Sequence, residues 1–408
     1  MNFVFISPNF PVRYFKWVEA LRDHGVNVLG IGDSPYYEIH DRLKAALREY
    51  YYVGDMSNYD NMARAVAYFE KKYGKIDFIE SNNEWWLTMD ARLREAFGVT
   101  SGQLPAQMEG LKAKSAMKEY FKKGGAKTMR YTLVDGRQDE EKVRKFIEEV
   151  GFPVFVKPNV GVGASDSYAV HNEKELQEFL DRKLLETYIM EELVEGYIVS
   201  YDGLVNEEGD VVFSTADHFP TPIDKLVSEQ ADVIYYDNPF SLPFEDFDGE
   251  KFEKLGRNVI KAFNIKKRPF HVEFFVLTKD KPGLGKKGEV LGLECNMRSP
   301  GGYTPDLMNY GNSISIYQMY ADIICYNENR QPMDLEKFYA FAVSRRKAAK
   351  YVHSEEEILT KYHDHLNMHG RYPAHIAHEM GDFYYYAKFK TLEEGKEFAA
   401  FVTERVKQ

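Results

Sequence analysis

The sequence predicts a mixed architecture: an α/β, Rossmann-like unit first, then a larger α+β body. Three observations carry this expectation. From residue 1 to about 107, short apolar runs alternate with amphipathic stretches, as in a parallel sheet covered by helices. Further on, apolar runs are joined in pairs by turn-rich loops, as in hairpins. A length of 408 residues exceeds a single small core and implies two or three domains.

Taken in order, residues 3–6 read as a strand, followed by a proline-containing loop and a helix through Trp17, Ala20 and Leu21. Residues 26–31 and 76–79 read as further strands, with a helical pattern over 59–72 between them. No G-x-G-x-x-G follows the first strand, so dinucleotide binding has no motif. Asn82-Asn83-Glu84-Trp85-Trp86 follows a strand end, where α/β sheets face ligands. Glu84 is therefore a candidate substrate contact; the competing reading is a helix N-cap whose aromatics pack on the second domain. A helix beginning near Leu111, carrying Met117, Tyr120 and Phe121, opens the second unit, which runs to about Cys325. The remaining residues are rich in tyrosine, histidine and basic side chains, with a strand over 383–389 and a helix from Leu392.

A hydrophobic fraction of 44% describes a packed chain rather than a disordered one. The net charge of −11, with no long basic stripe, argues against nucleic acid as a partner. Cys295 and Cys325 lie in apolar segments and read as buried free thiols of a reducing compartment. There is no basic n-region and no stretch approaching a membrane span. A cytoplasmic location without membrane contact is expected.

Residues 270–277 and 290–296 read as strands joined by a loop rich in turn formers. A hairpin symmetric about Gly283-Leu284 places Glu273 opposite Glu294. Like charges at roughly 5 Å across a strand pair repel, and a shared cation removes the conflict. Asn296 and Arg298 follow on the face of Glu294. Hard oxygen ligands beside a cationic fork suit magnesium and phosphate; the bland alternative is a solvent-facing pair of strands. Residues 152–158 form a strand bearing Lys157, which runs into a loop with Gly161, Gly163, Ala164 and Ser165. Small residues let backbone N–H groups approach phosphate oxygens, although such a segment is often only a hairpin. It is not a P-loop. Lys114 sits among lysines otherwise read as a solvated helix face. Residues 187–196 form a strand ending in Glu191-Glu192, with Val194 beyond.

The order of these features resembles that of the ATP-grasp superfamily: lysine, strand–lysine–glycine loop, strand–Glu-Glu, then paired glutamates with Glu-x-Asn-x-Arg. The similarity is to biotin carboxylase, the carbamoyl-phosphate synthase large chain and carboxylate–amine ligases, over roughly residues 1–325. It implies a Rossmann-like pre-ATP-grasp domain over 1–107 and a two-lobed ATP-grasp fold over 108–330. The lobes would span about 108–188 and 189–330, with ATP between them and a small α+β C-terminal extension over 331–408. By position, Lys114 and Lys157 match phosphate-contacting lysines and residues 161–165 the loop above the triphosphate. Glu191, Glu192 and Val194 match the hinge that meets adenine. Glu273, Glu294 and Asn296 match the magnesium ligands, with Mn2+ as a possible substitute, and Arg298 the arginine beside the reacting carboxylate or phosphate. Ile198 stands where many relatives carry a ribose-binding acid; Glu195 and Asp202 are the alternatives.

The resemblance implies an acyl phosphate formed from a small carboxylate and captured by an amine, with Arg298 and Lys157 catalytic. A carboxyphosphate-forming enzyme and a non-catalytic ATP-binding regulator are the competing readings, and a homodimer is compatible with all three. Gly301, Gly302 and Tyr303 form a candidate anion nest for the carboxylate. Lys225, in the segment from His218, matches a loop that covers the site in relatives. Arg345-Arg346 reads as a solvated charge run that could also bind a carboxylate.

Overall fold

Phe3, Val4, Phe5 and Ile6 are all buried, so their strand has no solvent face. A continuous apolar run of this kind belongs in the middle of a parallel sheet covered on both sides. The computed structural model, which describes residues 1–161, 166–220 and 231–406, places it there. Asn2–Ile6 lies between Asn27–Gly32 and Phe78–Glu80, with Glu49–Tyr52 at the edge, all parallel. Amphipathic helices such as Phe15–Asp23 and Tyr59–Tyr73 cover this sheet. The mixed α/β and α+β class expected from sequence is the one observed.

A nine-stranded, mainly antiparallel sheet forms the centre of the molecule. Its middle strands are Val211–Phe219, Gly196–Val205, Arg268–Leu277 and Val290–Asn296, in that spatial order. Helices Gly249–Phe263 and Lys114–Lys123 pack on one face, with Phe121 edge-on to Phe263 and Phe274 at 5.3 and 5.6 Å. Tyr339–Arg345, Leu366–Arg371 and Phe383–Phe389 complete this sheet at one edge, so the last segment shares its hydrogen bonding. A four-stranded antiparallel sheet holds Tyr131–Val134, Tyr188–Glu192, Val154–Pro158 and Tyr168–Val170.

Several local expectations change. The helix expected from Leu111 is two helices, Pro105–Lys112 and Lys114–Lys123, because Ala113 is extended between them. The segment from His218 does not begin as a loop: His218 is buried within the strand Val211–Phe219 and stacks on Tyr236 at 4.6 Å. Arg345 and Arg346 are buried rather than solvated, donating to backbone carbonyls of Val402, His353, Ala231 and His378. Trp86 caps the helix Leu87–Ala96 without a side-chain bond and packs on the first sheet's core, while Trp85 is exposed. Cys295 is buried and Cys325 half-buried, both free thiols. Among the described residues no helix is long and apolar enough to cross a membrane.

The first sheet is tied to the central one by charge. Glu80, at the end of Phe78–Glu80, receives Arg268 Nη2 at 2.5 and 2.6 Å and Arg94 Nη1 at 3.0 Å, all three buried. Arg268 begins the strand that carries Glu273. A buried group of this kind is strongly destabilising to break, so it fixes where the first unit stands relative to the site.

Candidate active site

The hairpin places Glu273 directly opposite Glu294 and His271 opposite Asn296. One irregularity makes this possible. Nearer the loop, Phe274 pairs with Gly292 and Val276 with Val290, a register that would oppose Glu273 to Leu293. Leu293 is the extra residue of a bulge, and beyond it the pairing advances by one. Gly292 therefore faces the helices with Phe274, where a Cβ would lie 2.3 Å from the Phe121 ring. Glu294, two residues on, faces the site.

The carboxylates are poorly balanced. Lys114 Nζ lies 3.7 Å from Glu294, and His271 bridges Glu273 at 3.1 Å and Asp202 at 2.7 Å. Burial and the facing Glu273 push the Glu294 carboxyl above its usual range, against the pull of Lys114. Burial works to raise Glu273 as well, but His271, Arg298 and Lys157 outweigh it and hold it low. Among the described residues no group of three or more His, Cys, Asp or Glu side chains could hold a metal by itself. Two carboxylates and the Asn296 amide make a partial shell of hard oxygens. This suits magnesium, which keeps waters and substrate phosphates as its remaining ligands.

Lys157, at the end of Val154–Pro158, reaches Glu191 at 2.7 Å. Lys118 holds the other oxygen of the same carboxylate. Burial alone would raise Glu191; the two lysines bring it down to about 2. Asn159 anchors the helix bearing Lys114: its carbonyl accepts Lys114 N at 2.8 Å and its side chain accepts Ser115 N at 2.9 Å. Lys114 Nζ also donates to the Gly161 carbonyl at 3.3 Å. Gly163, Ala164, Ser165 and Lys225 lie outside the described residues.

Arg298 follows on the same face, its Nη1 on the Ser299 carbonyl at 2.9 Å and its Nε 3.4 Å from Glu84. Glu84 comes from the turn between the strand Phe78–Glu80 and the helix Leu87–Ala96, and its buried Oε2 has no hydrogen-bond partner. The two expected hinge acids are used differently. Glu192 is fixed by Arg130 at 2.7 Å and Glu191 by the two lysines, and their strand is paired on both sides, with Glu192 N donating to the Arg130 carbonyl at 3.1 Å. Val194 packs against Met129, Leu277 and Leu291. Neither acid near Ile198 stands free for a ribose: Asp202 is buried on His271, and Glu195 pairs with Lys279 at 2.6 Å. In the turn after Arg298, Gly302 has φ +60, a left-handed conformation natural to glycine, and no backbone lies close to either glycine's Cβ position. Tyr303 turns away into a cluster with Tyr372 and Tyr384, under Arg13 at 4.7 Å.

Sequence reasoning missed Lys118, Asn159 and His271. Lys118 could have been found one helical turn after Lys114, and His271 by its shared strand parity with Glu273. Asn159 had no local signal.

Residues 150–303 match the ATP-grasp domain family model. Over 326 residues the chain is 22% identical to an L-arginine-specific L-amino acid ligase of Bacillus subtilis, covering 78% of this chain and 73% of that protein. It is 29% identical over 143 residues to the carbamoyl phosphate synthase large chain of Saccharolobus islandicus. That match covers 33% of this chain and only 13% of the much longer synthase. Among solved structures, the L-amino acid ligase from Bacillus licheniformis superposes with a TM-score of 0.71 at 16% identity, over 100% of this chain and 98% of that one. The biotin carboxylase domain of Hydrogenobacter thermophilus 2-oxoglutarate carboxylase, determined with MgADP and bicarbonate, gives 0.63 at 18% identity, over 84% and 74%. The chain therefore shares its fold with these two solved structures.

Proposed function

We propose that this chain is an ATP- and Mg2+-dependent carboxylate–amine ligase acting on small molecules, an amino acid among them. The observation that carries the reading is the opposed Glu273–Glu294 pair bordered by Arg298 and Glu84. Magnesium held by Glu273, Glu294 and Asn296, with Mn2+ as a substitute, would neutralise phosphate charge and polarise the transferring group. Lys114 and Lys157 stabilise the same phosphates electrostatically. A carboxylate oxygen attacks the γ-phosphorus, ADP leaves, and the acyl phosphate is then displaced by an amine with release of phosphate and a proton. Arg298 grips the carboxylate and afterwards the oxyanion, a donor role worth about 3 kcal/mol.

Glu84 refines the substrate class. An α-amino acid offers a carboxylate to Arg298 and an ammonium to Glu84, replacing a guanidinium–carboxylate contact at 3.4 Å by two complementary ones. The similarity, over 78% of this chain and 73% of the relative, to an L-arginine-specific L-amino acid ligase supports this reading. A cytoplasmic setting and a homodimer are compatible with it.

The test is an ADP-release screen over paired amino acids with product mass followed in parallel. Arg298→Ala is expected to lower kcat/KM about 100-fold; turnover unchanged in that variant would remove Arg298 from the chemistry. ATP hydrolysis stimulated by bicarbonate, without dependence on an amino acid, would replace this reading by the carboxyphosphate one. ATP binding with no ADP from any acid–amine mixture would favour a regulator.

A further inference from the structure

Lys118 is 1% exposed, and its ammonium pairs with one oxygen of Glu191. Lys157 pairs with the other at 2.7 Å. One buried carboxylate thus carries two cations, one more than neutrality needs. The two lysines differ in what else they can reach. Lys118 projects from the middle of the helix Lys114–Lys123 toward Glu191 and the Tyr131 ring, 5.3 Å away. Lys157 lies in the strand Val154–Pro158, where Glu294 and Glu273 also act on it.

We propose that Lys118 is a positioning residue: it keeps Glu191 neutralised so that Lys157 can leave that carboxylate for the nucleotide's phosphates. The inference rests on the ATP-site reading given above. A buried carboxylate without a cation is strongly disfavoured. Without Lys118, Lys157 becomes the sole counter-ion of Glu191, and phosphate must compete for it. With Lys118 in place the exchange conserves charge pairing: Glu191 retains one ammonium and the phosphates gain the other. Burial and proximity to Lys157 act to make the Lys118 ammonium less stable, and Glu191 opposes both; the pair is mutually dependent.

The test measures MgATP affinity by calorimetry, with thermal midpoints alongside, for wild type, Lys157→Met, Lys118→Arg, Lys118→Met and the double variant Lys118→Met/Glu191→Gln. Lys118→Met should weaken MgATP about 10- to 100-fold, the size of one competing charge-assisted bond, while Lys118→Arg stays near wild type. The double variant has no carboxylate to satisfy and should recover to within about threefold of wild type. A merely structural lysine would leave the double variant as weak as the single one. Unchanged affinity in Lys118→Met, or no recovery in the double variant, overturns the proposal. Should Lys118→Met fail to fold, the double variant alone decides, near-wild-type affinity supporting the proposal and a loss of tenfold or more overturning it. Wild type that binds no MgATP, or Lys157→Met that binds it normally, overturns the site reading itself and this inference with it.

Discussion

Glu294→Gln should stabilise the protein without metal and destabilise it relative to wild type with metal. Two unit charges at roughly 5 Å interact by about 3 kcal/mol at an effective dielectric of 20. Lys114, 3.7 Å from Glu294, and His271, 3.1 Å from Glu273, offset part of this. A net gain of about 1 kcal/mol in the metal-free variant follows. The sign agrees with the titration: burial and Glu273 raise the Glu294 carboxyl above its ordinary value, so the metal-free fold is penalised as pH rises through that range. A ligand at about 100 times its Kd stabilises the folded state by about 2.7 kcal/mol, and the variant loses much of this. Thermal unfolding at neutral pH, in EDTA and again with MgADP, should give midpoints that cross. A variant less stable than wild type in EDTA, with its MgADP stabilisation intact, would refute the cation-sharing argument.

Two further outcomes follow from the same geometry. Gly292→Ala puts a methyl 2.3 Å from the Phe121 ring, so the helix carrying Lys114 and Lys118 must shift; a stability loss of about 1–3 kcal/mol should accompany weaker MgATP binding, read by denaturant titration and calorimetry. Glu191, held down to about 2 against an ordinary value of 4.5, contributes stability that is present above the ordinary value and lost as pH falls toward the lower one. Acid titration of Glu191→Gln should therefore lack about 3 kcal/mol of that pH-dependent loss.

Much of the fold was legible because its signals are local. Four buried residues in a row, Phe3 to Ile6, specify an interior parallel strand, and the aromatic-rich run over 383–389 specified a strand with those bounds. What is non-local was not legible. Ala113 breaks the expected helix because Asn159, far along the chain, captures the N-terminus of the second half. Arg345 and Arg346 look solvated by composition, yet their donors reach carbonyls from four separate segments.

The glutamate pair marks the division between sequence and tertiary structure. Residue types and their order pointed to two carboxylates, an amide, a guanidinium and two lysines as a candidate site, because each chemistry is written in its side chain. Which face Glu294 occupies was decided by the bulge at Leu293, since the alternation continued from Phe274 and Gly292 would have turned it into the core beside Phe121. Side-chain parity in a strand is local, but register is shared between two strands and answers to whatever packs on both faces. For the same reason only the folded chain could bring Glu84 to Arg298 and Lys118 to Glu191. Each contact joins segments whose separation is set by the whole core.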